Sequence, residues 1–288
     1  MSEISVEDWV RCVAEAGRPL LRENSPHAWL IEQSMHTHFQ RLVPILSLSC
    51  FQTLTGSILD VGAGTGAMAL DLAWRAGRKG FVTALDSDGQ ALKITQKIAQ
   101  QVGVEIAALA GEAAALPLKD ASQDMTVARF MFQHLRAPSA VIAEMRRVTR
   151  PGGRVVIIDI DDEVVLSEPA EEGPMREFRK AIGILQSNRG GNRLIGRKLY
   201  RLMREAGLEA IQVMVIPFVR QGLQNGRSPE LEAFKIKRML RERRELIDSG
   251  IMSAQAFEAA LAELKHGFAE DRFEMHADFV AAGLVPAL

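Results

Sequence analysis

Nine residues constrain this chain more than any others: Ile58-Leu59-Asp60-Val61-Gly62-Ala63-Gly64-Thr65-Gly66. An apolar run ends in an acid, glycines follow at alternate positions, and a helix-compatible stretch, Ala67 to Arg75, comes next. The order reads as a buried strand, a tight turn and a helix N-terminus. Glycine adopts positive φ and has no side chain, so a ligand can lie directly on such a turn. The helix N-terminus adds free N–H groups and a positive dipole end, which suit an anionic group. The chain is therefore expected to fold around a strand–turn–helix unit able to hold a nucleotide-like cofactor.

The rest of the chain extends that unit. Strand-like segments at Ser57–Val61, Gly80–Asp86, Val104–Ala110, Met125–Ala128 and Arg154–Ile160 alternate with helix-like ones at Ala67–Ala76, Asp88–Val102 and Ser139–Val148. Asp88 suits the N-cap of the second helix and Gly103 its end, while Pro151-Gly152-Gly153 stops the third. This alternation predicts an α/β fold: a doubly wound, Rossmann-like, seven-stranded and mostly parallel sheet, with ligands at the carboxyl ends of its strands. Ala210–Val219 and Asp278–Val285 supply the last two strands. Helical segments flank the core: Val6–Leu54 before it, Glu168–Ala206 after it, then Leu231–Ile247 and Ser253–Phe268. The expected organisation is one continuous domain. It comprises an N-terminal helical lid (1–54), a cofactor-binding core (55–161), a helical cap (162–208), and C-terminal strands with a helical insertion (209–288).

Charge and cysteine content narrow the class. Among 288 residues, 35 Lys and Arg balance 36 Asp and Glu, for a net charge of −1. That balance gives no support for bulk binding to nucleic acid or anionic membrane. Cys12 and Cys50 cannot make a disulfide framework or a cysteine-rich zinc site, and no metal spacing emerges. No secretory leader is visible at the N-terminus, and the apolar run Leu42–Phe51 is too short to span a bilayer. A cytoplasmic protein with no membrane partner is expected, its oligomeric state open and a homodimer compatible.

Two cofactors fit the turn alone. Gly62-Ala63-Gly64-Thr65-Gly66-Ala67 satisfies the G-x-G-x-x-A dinucleotide pattern, and Asp86 stands 20 residues beyond Gly66, where an acid would hold a ribose. Its neighbours favour the other cofactor. Asp60-x-Gly62-x-Gly64-x-Gly66 resembles motif I of the class I S-adenosylmethionine-dependent methyltransferases. Ala84-Leu85-Asp86-Ser87 resembles their acid-tipped second strand, and Gly111-Glu112-Ala113-Ala114-Ala115-Leu116-Pro117 their G-D-A-x-x-L-P segment. Gln123 to Leu135 resembles the fourth strand with its loop, and Arg150-Pro151-Gly152-Gly153-Arg154 the turn before the fifth.

The resemblance implies S-adenosylmethionine as cofactor and assigns roles. Gly62, Gly64, Thr65 and Gly66 would lie at the methionine end, with Asp60 ordering the turn and approaching the amino group. Asp86 would accept from both ribose hydroxyls, as a two-oxygen acceptor can. Ser87 would flank the adenine. Glu112, one methylene longer than the family's usual Asp, would take the adenine amino group, and Ala113 would offer its N–H to the ring. Arg129 and Phe130 would line the methyl-donor region. Each has a plainer alternative: Asp60 as a helix cap, Asp86 as a solvated turn acid, Glu112 as a surface residue.

Methyl transfer from a sulfonium is an in-line displacement that depends on alignment and exclusion of water. Acceptors of high pKa also benefit from a base. His134, just after the fourth strand, is the candidate, the alternative being a histidine that caps or packs beside Leu135. His36 and His38 lie in the segment that folds over the site in similar enzymes, as candidates for the cofactor carboxylate or the substrate. Arg193 belongs to a basic run (Arg189, Arg193, Arg197, Lys198, Arg201, Arg204) that suits an anionic substrate, tRNA, or a solvated helix face with local acid partners. The fourth strand ends Ala128-Arg129-Phe130, not in the Asn/Asp-Pro-Pro-Tyr/Phe of adenine or glutamine amino-methyltransferases. The expected function is methyl transfer to a small organic metabolite at O, C or N. The alternatives are a non-methylating cyclisation or rearrangement on the same fold, tRNA methylation, and NAD-dependent oxidoreduction.

Overall fold

A computed structural model describes residues 5–21, 27–37, 41–221, 229–266 and 273–287. Its centre is a seven-stranded sheet of order β3-β2-β1-β4-β5-β7-β6. The strands are β1 (Gly56–Val61), β2 (Gly80–Asp86), β3 (Ile106–Ala110), β4 (Gln123–Arg129), β5 (Thr149–Glu168), β6 (Glu209–Gln221) and β7 (Phe273–Leu284). β1 to β5 pair in parallel; β7 runs antiparallel between β5 and β6. The expected α/β doubly wound, mostly parallel sheet is what the chain forms.

Strand periodicity explains the two faces. Ile58, Val127, Val156 and Ile158 enter one core, with α3 (Val43–Leu46), α4 (Ala67–Ala76) and α5 (Gly89–Val102). Leu59, Val61, Ala128, Val155 and Ile157 enter the opposite core, beneath α6 (Pro138–Val148) and α8 (Leu199–Glu205). Asp60 shares the parity of Ile58, so it is directed under α4 and is wholly buried. Asp88 caps α5 by accepting from the Gln90 and Ala91 N–H groups, and Gly103 ends it at φ +75°.

The structure departs from the sequence-based outline in two places. β5 does not end at Ile160: it passes through an irregularity at 160–165 and continues to Glu168, paired with β7. The proposed break at 161 therefore cuts a strand, and α8 belongs to the sheet's own core, not to a cap. Polar Asp161, Asp162 and Glu163 masked this continuity; they sit at the irregularity and are matched by Arg193 and Arg197. Secondly, α1 (Val6–Gly17) does not cover the strand tips. Trp9 stacks on Trp74 of α4 at 5.0 Å and donates its indole N–H to buried Asp71 at 2.6 Å, packed among Leu70, Ile98 and Ala99. It is α2 (Ala28–Thr37) that lies beside the glycine turn.

A third apolar cluster joins α7 (Pro174–Asn188), α9 (Pro229–Asp248) and α10 (Ala254–His266) through Leu185, Met239, Leu246 and Phe257. Lys237 reaches Glu32 at 3.2 Å, and Arg241 covers the Trp29 ring at 4.2 Å. These contacts tie α9 to α2 across the carboxyl side of the sheet.

Candidate active site

The first half of the site is a pinned turn. Gly62 and Ala63 donate to the Leu85 carbonyl at 2.8 and 2.9 Å, and Gly66, at φ +86°, opens α4. The Gly64 N–H donates to one Asp86 oxygen at 2.8 Å and the Asp88 N–H to the other at 2.9 Å. Asp86 thereby locks the tip of β2 to the turn after β1. Asp88 in turn bonds His27 at 2.6 Å, which holds the entry to α2 against the same edge.

The three glycines do different work. A Cβ on Gly62 would meet Met131 Cγ at 2.9 Å, and one on Gly66 would meet Thr95 Oγ1 at 2.8 Å; both close approaches are intramolecular. Only Gly64 faces open space, its nearest neighbour being Leu30 Cδ1 at 3.9 Å. Thr95 also donates to the Gly64 carbonyl at 3.1 Å, so α5 braces the turn from beneath. Of the three, Gly64 alone has an open Cβ direction; the close approaches at Gly62 and Gly66 are to this chain's own side chains. Thr65 is buried, Ser87 and Glu112 are exposed, and Ala113 is half-buried after β3.

Beneath the turn, neither Asp60 oxygen has a hydrogen-bond partner. Burial pushes its pKa up to about 7, against the pull of Arg129 and of the Ala69 N–H in the first turn of α4. Arg129 lies one step beyond Val127 on the same face. Its Nε is buried without a partner, and its guanidinium lies over the Phe130 ring at 4.3 Å. Burial and nearby Arg41 lower its pKa to about 10. Phe130 holds φ +54°, a left-handed conformation unusual for a non-glycine residue, and donates its N–H to Ile158 at 2.8 Å. Arg41 covers the same ring at 4.5 Å and Phe218 at 4.6 Å, and pairs in bidentate fashion with buried Asp278.

The loop after β4 is clamped from the far side. Asp159 accepts from the Gln133 N–H at 3.1 Å, and the Gln133 carbonyl accepts from Asn192 at 2.8 Å and from the Gln186 side chain at 3.2 Å. The Gln186 amide also donates to His134 Nδ1 at 2.9 Å. Nδ1 is therefore the acceptor and Nε2 carries the proton. Burial, then the charges of Arg193, Arg238, Arg189 and Arg241, lower the His134 pKa to about 4. The residue keeps substantial open surface, so solvent moderates the burial component. All causes nonetheless act in one direction, and the ring is neutral near pH 7. A weak base whose free nitrogen bears a proton is poorly placed for the base role expected of His134; the geometry offers an Nε2–H donor instead.

Arg193 forms a bidentate pair with Asp162 and donates to Gln133 Oε1 at 3.1 Å, so it meets the loop after β4 as well as β5. Arg189, Arg197 and Arg201 of the same basic run also pair with local acids. His36 lies on α2 with its side chain outside the described residues, and His38 lies outside them altogether. Among the described residues no cluster could hold a metal ion, and no helix is long and apolar enough to cross a membrane. Sequence reasoning passed over Met131, Thr95, Arg41 and Gln186, since no local pattern marks a residue that acts across 30 to 240 positions of chain.

Residues 59–157 match the methyltransferase domain family model. An uncharacterised 37.1 kDa protein of transposon TN4556 from Streptomyces fradiae is 29% identical over 74% of this chain and 66% of its own length. The ubiquinone/menaquinone biosynthesis C-methyltransferase UbiE of Burkholderia orbicola is 33% identical over 35% of this chain; the matched segment spans only 42% of that enzyme. The structure of BH2331 from Bacillus halodurans superposes with a TM-score of 0.53 at 17% identity, covering 85% of this chain and 97% of that one. At that identity the likeness concerns the fold. Residues 59–157 are thus similar to a methyltransferase domain, and the chain as a whole shares the fold of the solved structure.

Proposed function

We propose that the protein transfers a methyl group from S-adenosylmethionine to a small organic acceptor. The observation that carries this reading is the pinned turn: Gly64 presents an open face beside Asp86, while the other two glycines are filled by Met131 and Thr95. The residues suit the cofactor. Asp86 spends one lone pair of each oxygen on backbone N–H groups and keeps acceptor capacity for ribose hydroxyls. Asp60 offers a buried carboxylate without a hydrogen-bond partner, complementary to a cationic amino group. Ser87, Glu112 and Ala113 stand along the β2–β3 edge, where an adenine would lie, and Thr65 is buried within the turn. Arg129 and Phe130 line the methyl-donor end.

Bound there, the cofactor supplies an activated methyl on a sulfonium, so the chain's own task is alignment and exclusion of water. Phe130, held at its left-handed backbone position, and the Arg41 and Arg129 guanidiniums fix one wall. His134 orients an acceptor through Nε2–H. Within residues 1–54 the lid role falls to the segment around α2, which α9 meets across the strand tips. Calorimetry with S-adenosylmethionine and S-adenosylhomocysteine tests the reading: both bind, and Asp86→Ala loses at least tenfold in affinity. Binding by neither would sink it. Release of S-adenosylhomocysteine together with product distinguishes methyl transfer from a rearrangement on the same fold.

A further inference from the structure

α7 is followed by Arg189-Gly190-Gly191-Asn192, a turn far from the glycine motif in sequence. In the fold it closes against the loop after β4. The Gly190 N–H donates to the Ser187 carbonyl and the Gly191 N–H to the Gln186 carbonyl, both at 2.9 Å, and the Asn192 N–H reaches the Gln133 carbonyl at 2.8 Å. A Cβ on Gly191 would meet Gln186 Nε2 at 2.5 Å and Gln186 Cγ at 3.0 Å, with the Gln133 carbonyl oxygen closer still. Gly191 lies outside the left-handed region, so space, not backbone conformation, excludes a side chain there. That space is filled by the buried Gln186 amide. Its nitrogen lies 2.9 Å from His134 Nδ1 and 3.2 Å from the Gln133 carbonyl oxygen. A carbonyl only accepts, so the atom facing it is the amide nitrogen and not the amide oxygen. Its two hydrogens serve the two acceptors, which leaves Nδ1 without a proton. His134 shares a tight turn with Met131, whose carbonyl accepts its N–H at 2.9 Å. Met131 in turn fills the space beside Gly62. The clamped ring is thereby one turn removed from the glycine motif, and it keeps open surface.

We propose that Gly191 and Gln186 are positioning residues for His134: the missing side chain at 191 admits the Gln186 amide, and the amide fixes the imidazole proton on Nε2. The loop after β4 then meets the methyl acceptor with an N–H donor. His134 takes no proton from that acceptor, which presents a lone pair on oxygen or nitrogen to Nε2–H. The acceptor's part rests on the methyltransferase reading; the clamp on His134 rests on hydrogen-bond geometry alone. Neither residue touches the acceptor, and both act through the ring. The turn is glycine-rich because the Gln186 amide and the Gln133 carbonyl must meet where a side chain at 191 would stand.

The test is imidazole nitrogen spectroscopy of His134 in the full chain near neutral pH, with and without S-adenosylhomocysteine. The wild type should show Nδ1 unprotonated. Gln186→Leu removes the donor, and the share of the Nδ1–H form should rise about five- to tenfold. Gln186→Glu replaces the donor by a carboxylate, which accepts, so Nδ1 should gain a proton. Gly191→Ala leaves Gln186 in the chain but takes its space, and should raise the Nδ1–H share as Gln186→Leu does. Gly183→Ala on α7, where a Cβ meets nothing within 4 Å, is the control and should leave the ring unchanged. A proton on Nδ1 in the wild type overturns the proposal. So does a ring that reads the same in both Gln186 variants as in the control, and an unchanged ring in Gly191→Ala overturns the part given to Gly191. A wild type that fails to bind S-adenosylhomocysteine, while the ring responds as described, overturns the methyltransferase reading instead and leaves the clamp standing.

Discussion

Replacing Gly66 and Gly64 in turn by alanine separates packing from ligand contact within one short motif. At Gly66 the added Cβ meets Thr95 Oγ1 at 2.8 Å and Cβ at 3.0 Å, with Cγ2 closer still, at a backbone φ of +86°. A left-handed alanine costs about 1–2 kcal/mol, and overpacking against a β-branched side chain in a closed core about 1–3 kcal/mol more. The sum, about 2–5 kcal/mol, is a large part of the 5–15 kcal/mol that typically holds a domain folded. At Gly64 the backbone term recurs, at φ +55°, but the nearest atom is 3.9 Å away. Urea unfolding of the cofactor-free protein should therefore place Gly66→Ala about 1–3 kcal/mol below Gly64→Ala. Thr95→Ala in the Gly66→Ala background should recover part of that gap, less the hydrogen bond Thr95 donates to the Gly64 carbonyl. Calorimetry should order the pair the other way, with Gly64→Ala losing S-adenosylhomocysteine affinity by tenfold or more. Equal stabilities for the two variants, with no recovery on trimming Thr95, would refute the assignment of Gly66 to packing. Unchanged cofactor affinity in Gly64→Ala would refute the assignment of its open face to the ligand.

Three further expectations concern the buried charges and the N-terminal helix. The folded-state pKa of Asp60, about 7, lies above that of an unfolded aspartate, so the folded protein holds the extra proton. Its contribution to stability is full below about pH 4 and is lost as pH rises through about 7. Asp60→Asn should match the wild type in urea midpoint below about pH 4 and exceed it increasingly up to about pH 8; parallel pH dependence in the two proteins would count against a raised Asp60. Imidazole nitrogen resonances of His134 should report a neutral Nε2–H tautomer from pH 5.5 to 8, and a titration centred near 6.5 would contradict the low value that burial and the arginines impose. Trp9→Ala removes a stacked, fully buried indole and its bond to Asp71, at a cost of about 3–5 kcal/mol in urea unfolding. S-adenosylhomocysteine affinity should be unchanged at temperatures where the variant is folded; a selective loss of affinity would place α1 over the site after all.

How far the sequence could be read depends on whether the signal was local. α4 begins and ends where its periodicity and flanking glycines place it, and Asp88 and Gly103 bound α5 as their chemistry requires. The continuation of β5 was hidden because Asp161, Asp162 and Glu163 look like a loop; their charges are neutralised by arginines from residues 193–197, which only the fold brings alongside. The role of α1 was misjudged for a similar reason. Trp9 and Val13 announce an amphipathic helix, but nothing in them names the face it covers. His134 looked like a base because an unperturbed histidine titrates near neutrality. Gln186 and the surrounding guanidiniums, distant in sequence, change both its tautomer and its charge.

By itself the sequence determined the doubly wound sheet and the strand–turn–helix at its centre, because hydrophobic period, capping residues and glycine punctuation act over a few neighbouring positions. Only the tertiary structure decided which of the three glycines has an open face, which segment meets the strand tips, and which arginines pair with Asp162 and Asp278. Those properties arise where side chains far apart in sequence come within a few ångströms, since burial and Coulomb forces act on distance in space.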